Sequence, residues 1–187
     1  MSPAFPFQTG GAAAEFATLL GDHAGLCITD RTAWPRFGLK GPGSTGWLEG
    51  AGISLPGLNR VAAQADLLVL RLGDNDITVL GSSETLNGIS SLRVRWEAAA
   101  GPKGYSSWRE EAWAWLHLDG PELDQTLARC CAVDLRLGRF AADQIAQTRF
   151  AHVDAVVLRR DGGADILFDI AASSAVIKII RESGGHP

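Results

Sequence analysis

Residues 28–55, ITDRTAWPRFGLKGPGSTGWLEGAGISL, read as strand, tight Gly-Pro turn, short helix and second turn in one compact run. Arg36 to Leu39 is a strand entering Gly41-Pro42-Gly43, and Ser44 or Thr45 supplies an N-cap oxygen. Trp47, Leu48 and Ala51 then form the inward stripe of a helix ended by Gly50 and Gly52. A shortened copy returns as Trp115-Leu116-His117-Leu118-Asp119-Gly120-Pro121, followed by Leu123, Leu127 and Ala128. In each copy an apolar residue (Leu39, Leu118) stands two before the Gly-Pro pair, and a leucine (Leu48, Leu127) stands six after the proline. A hairpin pattern follows each copy. Asp66 to Arg71 and Ile77 to Leu80 flank a Gly/Asp turn, as do Asp154 to Arg160 and Asp165 to Ile170. The pattern predicts an α+β fold of two pseudo-repeated βαβ-type halves with antiparallel sheets and packed helices. It places an arm and short helix over 1–22 and the α+β domain over 23–187, with lobes near 23–105 and 106–187.

The remaining stretches fill in this frame. Met1 to Gly11, with Pro3, Pro6 and a Gly-Gly pair, reads as an irregular arm, and Ala12 to His23 as a short helix with Phe16, Leu19 and Leu20 on one face. Gly81 to Ser107 is the least regular region, with one strand expected at Ser91 to Trp96. Trp108 to Leu118 reads as a long strand whose period-2 faces are Ala112, Ala114, Leu116 and Leu118 on one side and Trp113, Trp115 and His117 on the other. Pro121 to Cys131 is a second helix, Val133-Asp134-Leu135 a turn, and Ile145 to Val153 a strand. The last helix starts at Ala171 or Ser173 and runs to Glu182, with Val176, Ile177, Ile179 and Ile180 inward.

A hydrophobic content of 46% over 187 residues is ample for a packed core and excludes a disordered chain. The net charge of −4, from 17 basic and 21 acidic residues without a run of either sign, leaves no footprint for nucleic acid or an anionic membrane. No Lys or Arg precedes Ala12 to Leu20, which Glu15 and Thr18 interrupt, so no secretory signal is expected. No window reaches the roughly 18 apolar residues of a membrane span. Cys27, Cys130 and Cys131 suit a reducing, cytoplasmic compartment and read as small, partly buried hydrophobes. His23, His117, His152 and His186 form no metal-ligand spacing, and no metal is expected.

Local catalytic signals are likewise missing. Gly41 to Gly43 lacks the Lys-Ser or Lys-Thr of a phosphate loop, and Pro42 has no N–H to offer an anion. Asp74, Asn75 and Asp76 lack calcium-loop spacing and read as turn formers. His117, between two leucines on a strand, reads as a packed or interfacial histidine, and Asp134 as a buried carboxylate fixing its turn, with a proton acceptor as the alternative. Arg36 and Arg71 could bind a carboxylate ligand, but as salt-bridge partners of turn aspartates they need none. The face bearing Trp113, Trp115 and His117 either packs under a helix or meets another protein, where tryptophan is enriched. Those three residues are the candidate partner interface; no catalytic, cofactor-binding or metal-binding residue is assigned.

The run Ile28-Thr29-Asp30, Arg36 to Gly43, Trp47-Leu48, Gly52, Leu55-Pro56 and Asn59 resembles the gamma-subunit family of heterotetrameric sarcosine oxidases. Arg71-Leu72-Gly73, Leu118 to Pro121, Val133-Asp134-Leu135, Gln147-Thr148 and Ala151-His152-Val153 follow in the family's order. The resemblance covers roughly Leu26 to Ile180 and is weakest over Gly81 to Tyr105. It implies a fold similar to the folate-binding module of aminomethyltransferases and a non-catalytic, structural role beside large and small partner subunits. By the same resemblance FAD, FMN, NAD, zinc and tetrahydrofolate belong to those partners and no cofactor to this chain. The assembly would oxidise sarcosine to glycine with oxygen, releasing hydrogen peroxide and passing the one-carbon unit to tetrahydrofolate. The alternative is a stand-alone folate or one-carbon binding protein.

Overall fold

The computed structural model describes residues 19–82, 85–160 and 162–184. In chain order the elements are β1 (Gly21–His23), β2 (Leu26–Asp30), β3 (Arg36–Lys40), α1 (Ser44–Gly50), β4 (Arg60–Gln64), β5 (Leu67–Gly73), β6 (Asp76–Leu80), α2 (Leu86–Ala98) and β7 (Tyr105–Ser106). They continue as α3 (Arg109–Ala112), β8 (Trp113–Asp119), α4 (Leu123–Cys130), β9 (Ile145–Phe150), β10 (Val153–Arg160), β11 (Gly163–Asp169), a 3-10 turn (Ile170–Ala172) and α5 (Ser173–Gly184). Two compact units result, one of residues 34–111 and one of the described residues of 1–33 together with 112–187.

In the unit 34–111, a five-stranded antiparallel sheet runs in the order β4-β5-β6-β3-β7. Alternation puts Phe37 and Leu39 on one face of β3, where they join Val69, Ile77 and Val79 from the sheet, Leu48 from α1, and Ile89 and Leu92 from α2. Phe37 is the hub: its ring meets Trp47 edge-on at 6.2 Å and Trp96 at 6.0 Å. Each such buried side chain contributes about 1.5–3 kcal/mol of hydrophobic stabilisation, so this small core is enough to seat both helices.

The second unit has a six-stranded sheet in the order β1-β2-β8-β11-β10-β9, with every named pair antiparallel. Ile28, Leu116 and Leu118 of the sheet pack with Leu127 of α4 and with Val176, Ile177 and Ile180 of α5. The internal duplication is complete at the level of topology. β3-α1-β4-β5-β6-α2 and β8-α4-β9-β10-β11-α5 have the same element order, and their sheets share the strand order in which the hairpin strands precede the strand before the Gly-Pro turn. Gly41 and Gly120, the equivalent turn glycines, both have positive φ (86° and 113°).

Several expectations change. The helix N-cap is Gly43, at φ 89°, because the glycine turn carries the chain to the helix start by itself. Ser44 is already helical and donates its hydroxyl to the Asn75 carbonyl at 3.4 Å. The strand expected at Ser91 to Trp96 is instead part of α2: Ile89, Leu92 and Trp96 fall on one helical stripe, a periodicity hidden by the weak helix formers Gly88, Ser90 and Ser91. The strand expected from Trp108 begins only at Trp113, since Trp108 takes a left-handed φ of 51° and Arg109–Ala112 coil into one helical turn. The strand expected over Ile145 to Val153 breaks at Ala151 and His152, whose φ values of 46° and 67° make a two-residue hairpin turn between Phe150 and its partner Val153.

The lobe boundaries also differ from those expected. β2 pairs with β8, so residues up to 33 join the C-terminal half and the first unit begins at Trp34. The arm expected over 1–11 and most of the helix expected over Ala12 to His23 lie outside the described residues, while Gly21–His23 is a strand.

Arg181 ties α5 to the β1–β2 hairpin. Only 9% exposed, it donates through Nε to the Leu19 carbonyl, through Nη1 to that of Leu26 at 3.0 Å and through Nη2 to that of Gly21 at 2.7 Å. Hydrogen bonds from a charged donor contribute about 1.5–3 kcal/mol each in isolation, and a shared guanidinium gives less than their sum. Arg181→Met retains the stem and removes the donors, so urea denaturation should show a loss of about 2–4 kcal/mol. An unchanged midpoint would mean the three contacts are incidental.

Candidate functional site

Register assembles a dense polar cluster on β8, β11 and the end of β2. β8 and β11 pair with His117 opposite Asp165 and Trp115 opposite Leu167, while Thr29 of β2 lies opposite His117. Arg31, two residues beyond Thr29, donates its backbone N–H to the Trp115 carbonyl at 2.8 Å and so shares the face of Trp115 and His117. Asp165, 3% exposed, receives at Oδ1 the Trp115 indole N–H at 2.9 Å, the Arg31 guanidinium at 3.0 Å and His117 Nδ1 at 3.0 Å. Burial by itself raises the pKa of this carboxyl. The hydrogen bond and charge of His117, the Trp115 hydrogen bond and the Arg31 charge together outweigh burial and hold it below the usual carboxylate range. The Arg31 guanidinium also lies 5.9 Å from the Trp115 ring centre. Thr32 Oγ1 accepts the Trp115 backbone N–H at 3.1 Å.

An ionised Asp165 can only accept, so His117 donates to it from Nδ1 and turns Nε2 away. This pairing of carboxylate and imidazole orients a general base in many enzymes. Here Nε2 faces Asp119 at 3.8 Å and lies against the Gly163 backbone, where an added Cβ would sit 2.7 Å from it. His117 is therefore mostly packed, its side chain 18% exposed, and the charges of Asp165 and Arg31 are matched inside the chain. Among the described residues no group of His, Cys, Asp and Glu is arranged to hold a metal ion. No helix among them is long and apolar enough to cross a membrane.

A second feature lies wholly within the unit 34–111. The segment 102–109 is laid directly on the β3–α1 turn because glycines remove the intervening side chains. A Cβ at Gly43 would come within 2.6 Å of the Pro102 backbone, one at Gly104 within 2.6 Å of the Lys40 carbonyl, and one at Gly38 within 2.1 Å of Ser107 Oγ. A cleft of about 300 Å³ opens beside this segment, with Phe37 and Trp96 among its lining and Tyr105 and Trp108 contributing exposed rings. Lys103 Nζ donates to the carbonyls of Trp96, Glu97 and Ala99 at 2.6–3.2 Å with its charge 4.9 Å from the Trp96 ring, capping the C-terminus of α2. Arg93 pairs with Glu110 Oε1 at 2.5 Å.

The whole chain superposes on a chain of the heterotetrameric sarcosine oxidase from Corynebacterium sp. U-96, solved in complex with pyrrole 2-carboxylate. The TM-score is 0.75 over 98% of this chain and 95% of that one, at 15% sequence identity. The fold is that of the sarcosine oxidase chain. It also matches the glycine cleavage system aminomethyltransferase T from Bartonella henselae, with a TM-score of 0.57, 14% identity and 89% of this chain covered. That match takes in 47% of the aminomethyltransferase, so the present chain spans about half of that protein's length. The sequence matches no family model and no curated protein. The likeness read from Arg36 to Leu48 is thus a likeness of fold, and the sarcosine-oxidase-like topology is the duplicated one described above.

Within this sarcosine-oxidase-like fold the residues singled out from sequence are dispersed. Trp113, Trp115 and His117 share one face of β8, as alternation requires, but Trp115 is 2% exposed with its N–H on Asp165, so its ring offers no surface, whereas Trp113 is half-buried. Arg36 is 1% exposed and donates to the carbonyls of Arg109, Trp34 and Glu110. Arg71 donates to those of Pro56 and Asp74, so these contacts of both arginines are to main-chain oxygens rather than to turn carboxylates. Asp134 does fix its turn but is exposed, because its partner Arg136 is two residues on. Hydrogen bonds from the Arg136 side chain and then its backbone lower the carboxyl to about 2. Cys27, Cys130 and Cys131 are free, and burial raises the Cys130 thiol. Sequence reading passed over Asp165, Arg31, Tyr105 and Trp108. The Asp165–His117 match could have been found by registering β11 on β8 through their alternation.

Proposed function

We propose that this chain is a non-catalytic, structural subunit of a multi-subunit, sarcosine-oxidase-like flavoenzyme. The observation that carries the reading is the near end-to-end correspondence with a chain of a heterotetrameric oxidase. It is supported by a polar cluster that is matched internally rather than aimed at a ligand. In this reading FAD, FMN, NAD, zinc and tetrahydrofolate are held by partner subunits in the cytoplasm. The complex converts sarcosine, oxygen and tetrahydrofolate to glycine, hydrogen peroxide and methylenetetrahydrofolate. The chain buttresses a large subunit. On the β8 face Trp113 and the exposed edge of His117 have surface for that contact, while Trp115 acts beneath them by holding Asp165.

The test is size-exclusion chromatography with mass analysis, first of the chain alone and then of the chain co-expressed with candidate large and small subunits. Co-elution in one yellow complex is expected. A monomer that ignores those partners, yet melts higher with tetrahydrofolate, would replace this reading with the stand-alone one-carbon binding protein.

A further inference from the structure

The two helices of the unit 34–111 are held apart where their counterparts in the other unit meet. α4 and α5 pack against one another, and Arg129 of α4 donates to the Ser183 carbonyl near the end of α5. α1 and α2 make no comparable contact. A groove of about 540 Å³ lies between them, lined by Gly46, Trp47 and Gly50 on α1 and by Arg95 and Ala98 on α2. The Gly-Pro repeat aligns Gly46 with Gln125 and Gly50 with Arg129, so the groove opens where the first copy lacks side chains that the second has.

Nothing inside the unit calls for these two glycines. Neither takes a positive φ, and outside the helix's own backbone a Cβ built at either would meet no atom within 4 Å. Glycine weakens a helix relative to alanine, so α1, seven residues long, is weakened at two positions with no gain in conformation or internal packing. What bare backbone does permit is the close approach of another molecule.

The walls narrow what approaches. An extended segment needs unpaired main-chain groups, and here they are engaged. The last carbonyls of α1 accept the N–H groups of Ala51, Gly52 and Ile53, and those of α2 accept Lys103. A polar small molecule needs several convergent polar groups, and the groove has one charged side chain, Arg95. Small residues four apart on α1, and Arg95 and Ala98 three apart on α2, instead match the ridge of a third helix. Arg95 is exposed and donates Nη1 to the Ala51 carbonyl at 3.4 Å, a long contact that leaves its other donors suited to a carboxylate on that helix. Glu49 and Glu97 are exposed on the same two helices but do not line the groove.

We propose that the α1–α2 groove docks an amphipathic helix of a partner subunit, with an acidic residue of that helix on Arg95. The assignment of the partner to the complex rests on the reading above. The test co-expresses the full chain with the candidate large and small subunits and follows co-elution, each variant also being melted alone. Gly46→Leu and Gly50→Leu should melt no lower than the parent, since leucine favours helix and meets open space, yet weaken assembly at least about tenfold. Gly88→Ala, in equally open space on α2 away from the groove, should leave assembly unchanged. Arg95→Glu should also weaken assembly. A photo-crosslinking benzoylphenylalanine replacing Glu49 should mark partner residues three or four apart beside an Asp or Glu, and changing that acid to Arg should restore assembly with the Arg95→Glu chain. Should a leucine variant melt lower, the Arg95→Glu exchange and its rescue decide.

Cross-links to a non-helical stretch or to a second copy of this chain, or a charge exchange that restores nothing, overturn the proposal. If the wild-type chain joins the complex and the leucine variants join it equally well, the docking role falls and the subunit reading stands. If the wild-type chain joins nothing, both fall.

Discussion

Asp165→Ala is expected to lower the free energy of unfolding by about 3–5 kcal/mol, the range for breaking a buried ion pair from one side. The loss comes less from the contacts removed than from what they leave behind. The Trp115 indole N–H, buried in a residue only 2% exposed, loses its acceptor, and the Arg31 guanidinium, its side chain 22% exposed, loses its carboxylate. Asp165→Asn keeps one acceptor oxygen but no charge and should fall between. The pH dependence follows from the depressed carboxyl. With its folded pKa below the unfolded value of about 3.9, Asp165 contributes its full stabilisation above that value and loses it as pH falls through the folded pKa. Urea denaturation of the wild type and Asp165→Asn should therefore show a gap that is wide at pH 6 and narrows in acid below about pH 4. A gap independent of pH would mean that the carboxylate charge is not what holds Arg31 and His117.

The two turn glycines should respond very differently to the same methyl group. At Gly120 a Cβ would lie 2.3 Å from the Gly25 carbonyl oxygen, a backbone atom that also accepts the Glu122 N–H at 3.1 Å. Relief requires moving the β1–β2 hairpin away from the start of α4, in addition to forcing alanine into φ 113°. At Gly41 the obstruction is the edge of the Tyr105 ring at 2.7 Å, and that ring is 69% exposed and free to swing outward. Only the left-handed backbone cost of about 1–2 kcal/mol then remains. Gly120→Ala is expected to cost about 3 kcal/mol or more and Gly41→Ala roughly half of that or less, compared by thermal and urea unfolding. Equal losses would show that the Gly25 contact yields without resistance.

The residues that could be read in advance share a physical property: their structural meaning is set by their neighbours in sequence. Leu39 and Leu118 before Gly-Pro, Leu48 and Leu127 after it, and the Gly/Asp turns between β-rich runs state periodicity and turn chemistry over a few residues. The duplicated topology was legible from them. Even local reading failed where signals conflict. Gly88, Ser90 and Ser91 argue against helix in α2, whose apolar stripe of Ile89, Leu92 and Trp96 outweighs them only once Phe37 is there to pack on.

The candidate sites belong to a different class of information. Asp165 meets His117, Trp115 and Arg31 across 48, 50 and 134 residues of chain, and a slip of one residue in the β8–β11 register would send these side chains to opposite faces. Tyr105 and Trp108 looked like ordinary members of a loop and a strand. Only the close laying of segment 102–109 on the glycines of β3 and its turn leaves them open at a cleft. The sequence by itself thus determined the repeat, the turns and the inward faces, because these follow from short-range backbone preferences and apolar periodicity. The tertiary structure alone decided which polar groups meet and which aromatic rings stay outside, because those outcomes depend on strand register and backbone approach between segments far apart in the chain.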